Sequence, residues 1–341
     1  MAASTPLVAS AAVGLGFALL ALLGCGGAST GKEATTSEAA DAASTTTGNV
    51  PPGVIAYQTF EGTLRVIRSD GSDDHELVTD VPGEHLQPDW SPDGQHLVFT
   101  SRSSGDVLYE ADTDGSNARQ IVKCVYPCIG DESASYSPDG RRIAFIRALG
   151  PFTGVPADCG LWLFDRSTGK VTQLTSHPKC QDREAYPRWS PDGSTLVFFR
   201  DLNDKDNPAV TVTQAVFTMP ADGGNQRQLT PLKLVAGNPD WSPDGRLIVF
   251  STFSLGFFPD AKVSNIYTMR PDGTNTRQLT NYTATQGRAS HPHWLPDGSG
   301  IIYVLGRRGH REMWFMTPDG ENRVRIKTGG DSWHPTWQPN P

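Results

Sequence analysis

Three absences limit the classes of protein to which this chain can belong. The motifs His-Glu-x-x-His and Gly-x-x-x-x-Gly-Lys-Ser/Thr are missing from its 341 residues, so a zinc-protease helix and a nucleotide-binding loop have no sequence support. Basic residues are in the minority, with 29 Lys and Arg against 37 Asp and Glu, and no Lys/Arg cluster of the kind that marks a nucleic-acid-binding surface stands out. Residues 1–24 carry no charged side chain. From the missing motifs and the small number of basic residues, we expect no nucleic-acid partner, no cofactor and no catalytic residue.

The sequence contains instead a repeat built around tryptophan and proline. The stretch Pro187–Gly193 reads Pro-Arg-Trp-Ser-Pro-Asp-Gly and runs into Leu-Val-Phe-Phe. Close or looser copies start at Pro88, Tyr136, Pro239, Pro292 and Pro335. The second prolines of the six copies lie at positions 92, 138, 191, 243, 296 and 339, so the copies follow one another at steps of 43 to 53 residues. A near-constant period of this size predicts a repeat architecture.

Each copy predicts four short β-strands. The first strand surrounds the tryptophan, the second is a Leu-Val-Phe run, the third is of the type Ile266–Met269, and the fourth is a Gln-Leu-Thr run. Aromatic and β-branched residues favour strands. Pro-Asp-Gly and Asp-Gly supply the turns, because proline presets φ and glycine accepts positive φ without steric cost. The aspartates of these pairs are therefore interpreted as turn residues rather than catalytic carboxylates.

The two ends of the repeat region predict how it closes. The copy at residues 54–79 lacks a first strand, whereas the copy that ends at Pro341 has only that strand. We therefore predict an all-β fold over residues 53–341, a six-bladed β-propeller of four-stranded antiparallel blades that is closed by the C-terminal strand joining the N-terminal blade. Closure of this kind removes exposed sheet edges, and we expect the protein to be monomeric.

The repeats resemble the TolB-type (WD40-like, PD40) β-propeller family in their Trp-Ser-Pro-Asp-Gly core, over residues 51–341. We expect the chain to lack the α/β domain that precedes the propeller in TolB, and the hydrolase domain that follows similar propellers in prolyl-oligopeptidase-like enzymes. The Trp-Ser-Pro-Asp-Gly core is specific for the fold and poorly specific for function, so the role of TolB itself is not carried over. By resemblance, a peptidoglycan-associated lipoprotein is one candidate partner. Related propellers also include metal-using uronate lyases, which keeps a carbohydrate-active reading open.

The N-terminal region resembles a bacterial lipoprotein signal. An apolar run leads into Leu22-Leu23-Gly24-Cys25, which is similar to a lipobox. We predict a signal peptide at 1–24 and a lipidated Cys25, although the lack of Lys or Arg departs from the usual signal pattern. An uncleaved membrane span and ordinary cleavage stay open as alternatives.

The segment that follows the lipobox is predicted to be a tether. Residues 25–52 comprise the lipidated cysteine and a stretch rich in Ala, Ser, Thr and Gly with no apolar cluster, a composition typical of flexible linkers. Gly26 rather than Asp follows the cysteine, which resembles the outer-membrane sorting pattern. We therefore expect an extracytoplasmic protein that is lipid-anchored, on the outer membrane.

Four cysteines remain after Cys25, and an even number in an exported chain predicts two disulfides. They are Cys124, Cys128, Cys159 and Cys180. We favour the pairs 159–180, because those residues flank one predicted hairpin, and 124–128. The crossed pairings stay open, as does a zinc site made from all four cysteines, although their spacing is not that of a zinc ribbon.

The loops between the second and third strands carry the first candidate binding surface. They are long in three consecutive copies, at residues 149–160, 201–215 and 254–265, and function often lies on loops over a rigid scaffold. These loops and their edges carry the apolar residues Phe152, Val155, Phe253, Leu255, Phe257 and Phe258. They predict either loops that pack on themselves or an apolar rim that binds a partner.

The second candidate is a ring of polar residues. Three residues before each first-strand aromatic lie Gln87, Ser133, Tyr186, Asn238, His291 and His334. Equivalent positions on innermost strands surround the channel, so we expect either a solvated lining or a site for a small ligand or peptide end. His291 and His334 fall on neighbouring copies and form a weak candidate for a metal site; we assign no metal. We therefore predict a membrane-tethered, non-catalytic scaffold that binds an envelope protein or peptide. The alternative is a carbohydrate-active, lyase-like enzyme or a sugar-binding protein that uses the ring histidines.

Overall fold

The computed structural model describes residues 50–103, 105–151, 154–203, 211–252, 263–307 and 309–339. Regular structure in these ranges is β-strand throughout, apart from a single-turn 3-10 helix, η1, at Leu232–Leu234. None of the helical structure in the described ranges is long and apolar enough to cross a membrane.

The strands follow the predicted repeat along the chain. The first eight are β1 (Val54–Gln58), β2 (Leu64–Arg68), β3 (His75–Glu76), β4 (Glu84–Trp90), β5 (His96–Arg102), β6 (Asp106–Asp112), β7 (Arg119–Gln120) and β8 (Cys128–Tyr136). The next eight are β9 (Arg142–Leu149), β10 (Asp158–Asp165), β11 (Val171–Gln173), β12 (His177–Pro178), β13 (Asp182–Trp189), β14 (Thr195–Asn203), β15 (Thr211–Pro220) and β16 (Arg227–Gln228). The last nine are β17 (Ala236–Trp241), β18 (Ile248–Thr252), β19 (Ile266–Met269), β20 (Arg277–Gln278), β21 (Arg288–Trp294), β22 (Ile301–Arg307), β23 (His310–Met316), β24 (Val324–Ile326) and β25 (Trp333–Trp337).

The prediction of six four-stranded blades is wrong. Four of the sheets are four-stranded blades, with strand orders β25-β1-β2-β3, β13-β14-β15-β16, β17-β18-β19-β20 and β21-β22-β23-β24. The strands expected to form two further blades, β4–β7 and β8–β12, belong to one nine-stranded sheet. The fold is an all-β propeller, but its hydrogen-bonded sheets do not follow the repeat one to one.

A single parallel contact joins the strands of the nine-stranded sheet. Asp106 of β6 pairs with Gly130 of β8, because β8 starts early enough, at Cys128, for its first residues to lie beside β6. A Cβ atom on residue 130 would lie 3.4 Å from the Cβ of Asp106, which is close to ordinary van der Waals contact. The disulfide from Cys124 to Cys128 lies directly before it, and a second joins Cys159 to Cys180. This is the disulfide connectivity that the sequence favoured.

The aromatic residue of the copy at Pro187 packs between neighbouring sheets. Trp189 is buried in a cluster that combines Phe198 of its own sheet with Ile146 and Leu161 of the nine-stranded sheet. Its indole N–H donates to the backbone oxygen of Ser135 over 3.1 Å. An aromatic side chain that is buried and hydrogen-bonded contributes several kcal/mol to an interface. This part of the core therefore lies between two sheets, whereas the cluster around Tyr136 joins strands of the nine-stranded sheet itself.

The Ser-Pro-Asp-Gly turn recurs because its residues satisfy one another. In the copy at residues 190–193, the Ser190 hydroxyl donates to Asp192 over 2.6 Å and accepts from the backbone N–H of Thr195 over 2.9 Å. Gly193 has φ +70°, a conformation that glycine adopts without a Cβ clash. The motif is thus a self-contained turn, and its aspartate is occupied by structural hydrogen bonds.

The C-terminal strand completes the first blade, as the chain ends predicted. β25 pairs antiparallel with β1, with Ile55 opposite Trp337. Trp337 is 4% exposed, and a Cβ atom on residue 53 would lie 2.2 Å from its indole ring. Gly53 is therefore the residue that lets the final tryptophan close the propeller.

Candidate functional site

The six predicted ring residues occupy equivalent positions, and the backbone has the same conformation at each of them. Each has a positive φ, between 46° and 56°, in an innermost strand. All six positions coincide with a shift in register between the innermost strand and the strand beside it. For His334, this is the shift between β25 and β1. A bulge turns a side chain away from the regular alternation of a strand. The ring is therefore built by six equivalent bulges, a feature that residue counting located without revealing its conformation.

A hydrogen-bonded chain crosses the ring. The Gln87 side-chain oxygen accepts from the Ser133 backbone N–H over 2.9 Å, and its amide nitrogen donates to the Tyr186 hydroxyl over 3.1 Å. The Tyr186 hydroxyl lies 3.0 Å from Nε2 of His334. The hydroxyl accepts from Gln87 and has its own hydrogen available for His334 Nε2. Ser133, Gln87, Tyr186 and His334 thus form one network.

The two ring histidines meet, as their neighbouring copies predicted. The rings of His291 and His334 are perpendicular, with centroids 4.3 Å apart, and the Tyr186 ring stacks on His334 at 5.0 Å. Burial, with a smaller contribution from Arg311, lowers the pKa of His291 to about 3. Burial and the neighbouring His291 also hold the pKa of His334 well below its usual value. Both imidazoles are therefore neutral at pH 7.

The ring side chains nearly fill the centre of the propeller. Two small cavities remain between them, of about 30 Å³ beside Asn238 and about 10 Å³ beside Ser133, and both are lined by Tyr186 and His334. A cavity needs about 10–15 Å³ to hold one water molecule. The ring therefore has room for a few waters in this conformation, and a larger ligand would have to bind above it.

A second layer lies directly next to the ring, at the residue before the aromatic, and it carries a titratable side chain in four copies: Asp89, Arg188, Asp240 and His293. Arg188 Nη1 is 2.8 Å from Asp89 Oδ1, and His293 Nδ1 is 3.1 Å from Asp240 Oδ2. Asp89 also accepts from the backbone N–H of Tyr136 over 3.0 Å. Burial raises the pKa of Asp89, whereas His293 and Arg188 outweigh burial and lower the pKa of Asp240. This layer links the inner strands of different copies. It was not predicted, because a sequence shows the charge of each residue but not the partner with which it pairs.

A large open space lies on the loop face, which is the end of the propeller where the second and third strands of each copy connect. It is a cleft of about 710 Å³ that reaches His291 of the ring. We call it the arginine cleft, after the charged and aromatic side chains of its lining: Arg288, His291, Arg307, His310, Arg311 and Trp333. Its volume is within the range of small-molecule and peptide sites.

Two arginine side chains that line the arginine cleft lie over tryptophan rings. The Arg311 guanidinium lies 3.8 Å from the centre of the Trp333 ring, and that of Arg307 lies 5.6 Å from the centre of the Trp314 ring. Such contacts fix the plane of a guanidinium and leave its N–H edge free. The segment Gly306–Arg311 carries three arginines in six residues. This local basic signal could have indicated the cleft, but it was not part of the prediction.

The other predicted site residues lie outside the described ranges. This is true of Phe152, Phe253, Leu255, Phe257 and Phe258, which were expected to form an apolar rim, and of Cys25, the predicted lipidation site. Val155 is described and is 62% exposed. The rim and the lipid anchor therefore stay predictions.

Metal-type ligands converge at one place in the part of the chain that the structure describes, at Cys124, Cys128 and Asp131. The two cysteines are joined to each other with an S–S distance of 2.03 Å, so their sulfur atoms are engaged in the disulfide. His291 and His334 have no third ligand of this type close by among the described residues.

Sheets that pack face against face around a polar centre, with the first and last strands paired, define a β-propeller. The sequence matches the TolB beta propeller domain family, PD40, over residues 51–254, which is more than half of the chain. The chain therefore belongs to this family, as the Trp-Ser-Pro-Asp-Gly repeats predicted.

Individual relatives match over part of their length. The "Uncharacterized peptidase YuxL" of Bacillus subtilis is 34% identical over 121 residues, which are 36% of this chain and 17% of that protein. The Tol-Pal system protein TolB of Francisella tularensis subsp. mediasiatica is 25% identical over 283 residues, 79% of this chain and 58% of TolB. The chain thus spans less than two thirds of each. The crystal structure of TolB from Acinetobacter baumannii superposes with a TM-score of 0.64 at 19% identity, covering 84% of this chain and 67% of that one, a likeness of fold.

Proposed function

We propose that this protein is a non-catalytic scaffold of the bacterial envelope that binds a protein or peptide on its loop face. The observation that carries the proposal is the arginine cleft of about 710 Å³, which opens on that face directly above a ring that is filled by its own side chains. A rigid propeller with a large open cleft beside a closed centre favours recognition of an inserted segment. Membership of the TolB propeller family supports a role in the envelope.

The chemistry of the described cleft lining also favours binding. Ser290 Oγ lies 3.0 Å from Nδ1 of His291, which is the pairing of a nucleophile and a base. A catalytic pair of this type needs a third group that orients the imidazole, and no described carboxylate lines the cleft. Ser290 and His291 are therefore interpreted as part of a recognition surface.

A tether completes the proposal. Lipidation of Cys25 would hold the protein at a membrane through residues 26–52, and the loop face would search the space near that membrane. Metabolic labelling with palmitate tests this step: we expect label in the wild type and none in Cys25→Ser, and equal labelling of the two would contradict it.

The binding role is tested by crosslinking from two exposed positions. Thr285 lines the arginine cleft, whereas Thr274 lies in the tight turn between β19 and β20, at the opposite end. A photoreactive benzoylphenylalanine is placed at either position in cells that produce the protein. We expect a discrete adduct from position 285 and none from position 274. Adducts from both positions alike, or from neither, would contradict binding on the loop face.

A carbohydrate-active enzyme is the second candidate, and the paired neutral imidazoles of His291 and His334 favour it. A metal-dependent activity would require bound metal in the purified protein and its loss in His291→Ala and His334→Ala. Metal analysis of the three proteins separates the candidates, because we expect the same low metal content in each.

A further inference from the structure

The arginine cleft has unpaired positive charge. In the part of the chain that the structure describes, no carboxylate lies within ion-pair distance of Arg288 or Arg307. Arg311 has one acidic neighbour, Asp331, with Nη1 to Oδ2 at 4.0 Å, and Asp331 is also 3.5 Å from Nδ1 of His310. Asp331 therefore reaches Arg311 and His310 but leaves Arg288 and Arg307 without a described carboxylate partner. The site as a whole is basic, although the net charge of the chain is −8.

Two donors in the cleft have no hydrogen-bond partner. The Nε of Arg307 and the indole Nε1 of Trp333 are both buried, and neither meets an acceptor among the described residues. A buried donor without a partner costs about 1–3 kcal/mol, so such groups in a native protein call for a specific explanation. Orphan indole donors also occur at Trp162, Trp241 and Trp294, so what distinguishes the cleft is the combination of such donors with guanidinium groups that have no carboxylate partner among the described residues. That combination favours a ligand that supplies acceptor oxygens.

Carboxylate is the ligand chemistry that this arrangement fits. A guanidinium offers parallel N–H groups that match the two oxygens of a carboxylate, and stacking on an indole holds that fork in place. Arg311 lies against Trp333, and the rings of His291 and His334 flank the same indole with centroids 5.4 and 5.9 Å away. Because a guanidinium already lies over this ring, little of the indole face is left for a sugar ring. The observations therefore favour a peptide over an acidic sugar.

We infer that the arginine cleft recognises a carboxylate group of a peptide, either an acidic side chain or a C-terminus, with Arg307 as the principal contact and Arg288 as a second. The inference rests on the proposed binding function and names the chemistry that the partner must present. The proposed binding function and this inference can fail separately. Crosslinking at Thr285 succeeds with a partner of any charge, whereas the inference fails unless that partner is acidic.

The test is a titration with short probes followed by calorimetry at about 20 mM salt, where charge interactions are weakly screened. The probes are acetylated triglutamate as the C-terminal amide, the same peptide as the free acid, the triglutamine amide and trigalacturonate. We expect triglutamate to bind at least about ten-fold more tightly than triglutamine, because hydrogen bonds to charged groups contribute about 1.5–3 kcal/mol. The amide and the free acid distinguish a side chain from a terminus, and binding of either supports the inference.

Two variants assign the binding to the cleft. Arg307→Gln keeps hydrogen-bonding capacity without the charge, and we expect it to weaken triglutamate binding by about ten-fold or more. Arg227→Gln is the matched control, since Arg227 is exposed and reaches the backbone of Asp272 at the opposite end; its affinity should equal that of the wild type. Equal binding of triglutamate and triglutamine, or no effect of Arg307→Gln, would overturn the inference. Tighter binding of trigalacturonate, which carries the same number of carboxylates, would overturn the choice of a peptide.

Discussion

Two sides of the loop face carry arginine in different states. On one side, which we call the paired side, each arginine has a carboxylate of its own: Asp131 with Arg147, Asp106 with Arg102, and Glu132 with Arg183. On the other side, the arginine cleft, Arg288 and Arg307 have no carboxylate partner among the described residues. Charges that are satisfied within the fold stabilise it, whereas charges left unsatisfied in a cleft are available to a ligand. The comparison therefore separates structural arginines from those that we assign to binding.

The largest expected effect is on the paired side. Asp131 is fully buried and accepts from Arg147 over 2.7 and 2.8 Å. Asp131→Asn would leave the Arg147 guanidinium buried without its counter-charge, and we expect a loss of about 3–5 kcal/mol in the free energy of unfolding. Urea denaturation measures this loss. A decrease below about 1 kcal/mol would show that the pair is not structural, and the comparison would fail on this side.

A smaller effect is expected at the ring between the two sides. Tyr186→Phe removes the hydroxyl that joins Gln87 to His334 and leaves both partners without that bond. We expect the free energy of unfolding to fall by about 1–3 kcal/mol, measured in the same way. Phe199→Leu is a control, because Phe199 stacks on the Tyr186 ring at 5.7 Å without a polar group. If Tyr186→Phe were neutral, the hydrogen-bonded chain would not support the ring.

The pH dependence of stability is the third prediction, and its sign follows from His291. Its pKa in the folded protein is lowered to about 3, below the ordinary value of about 6.5. The unfolded chain therefore binds a proton that the folded protein rejects, so stability is constant above about pH 6.5 and falls as the pH decreases from there toward 3. In His291→Gln this fall should be shallower. Melting temperatures between pH 4 and pH 8 check the slope, and parallel curves for the two proteins would contradict the assignment.

The smallest expected effect is on the stability of the cleft variant. Arg307→Gln removes a charge that has no described carboxylate partner and a buried Nε that has no acceptor, so the free energy of unfolding should not fall by more than about 0.5 kcal/mol. This expectation contrasts with that for Asp131→Asn and is measured in the same urea experiment. A loss above about 2 kcal/mol would mean that Arg307 is structural, and the two sides of the loop face would no longer differ.

The sequence predicted those features that follow from the period of the repeat. The short strands and the Asp-Gly turns recur because each copy repeats the same residues at the same spacing. His291 and His334 meet because equivalent positions on adjacent copies surround one axis. The pairing of β25 with β1 followed from a missing and a spare strand. Each of these features needs only the register of a strand within its copy.

Features that depend on contacts between copies were not visible in the sequence. The division into six sheets failed at the Asp106–Gly130 contact, since a one-residue pairing leaves no periodic signal. The arginine cleft draws Arg288 from one strand, Arg307 and Arg311 from a hairpin and Trp333 from the closing strand. Its basic character was hidden by an acidic composition, because net charge does not record which charges already have partners.

The central claim is that the unpaired arginines of the loop face bind ligand and the paired ones do not. Titration of triglutamate amide into Arg307→Gln and Arg102→Gln compares one arginine of each kind on the same face. Arg102 is held by Asp106 over 2.9 Å, so its replacement should leave the dissociation constant near that of the wild type. Arg307→Gln should raise it about ten-fold or more. Equal dissociation constants for the two variants would contradict the account.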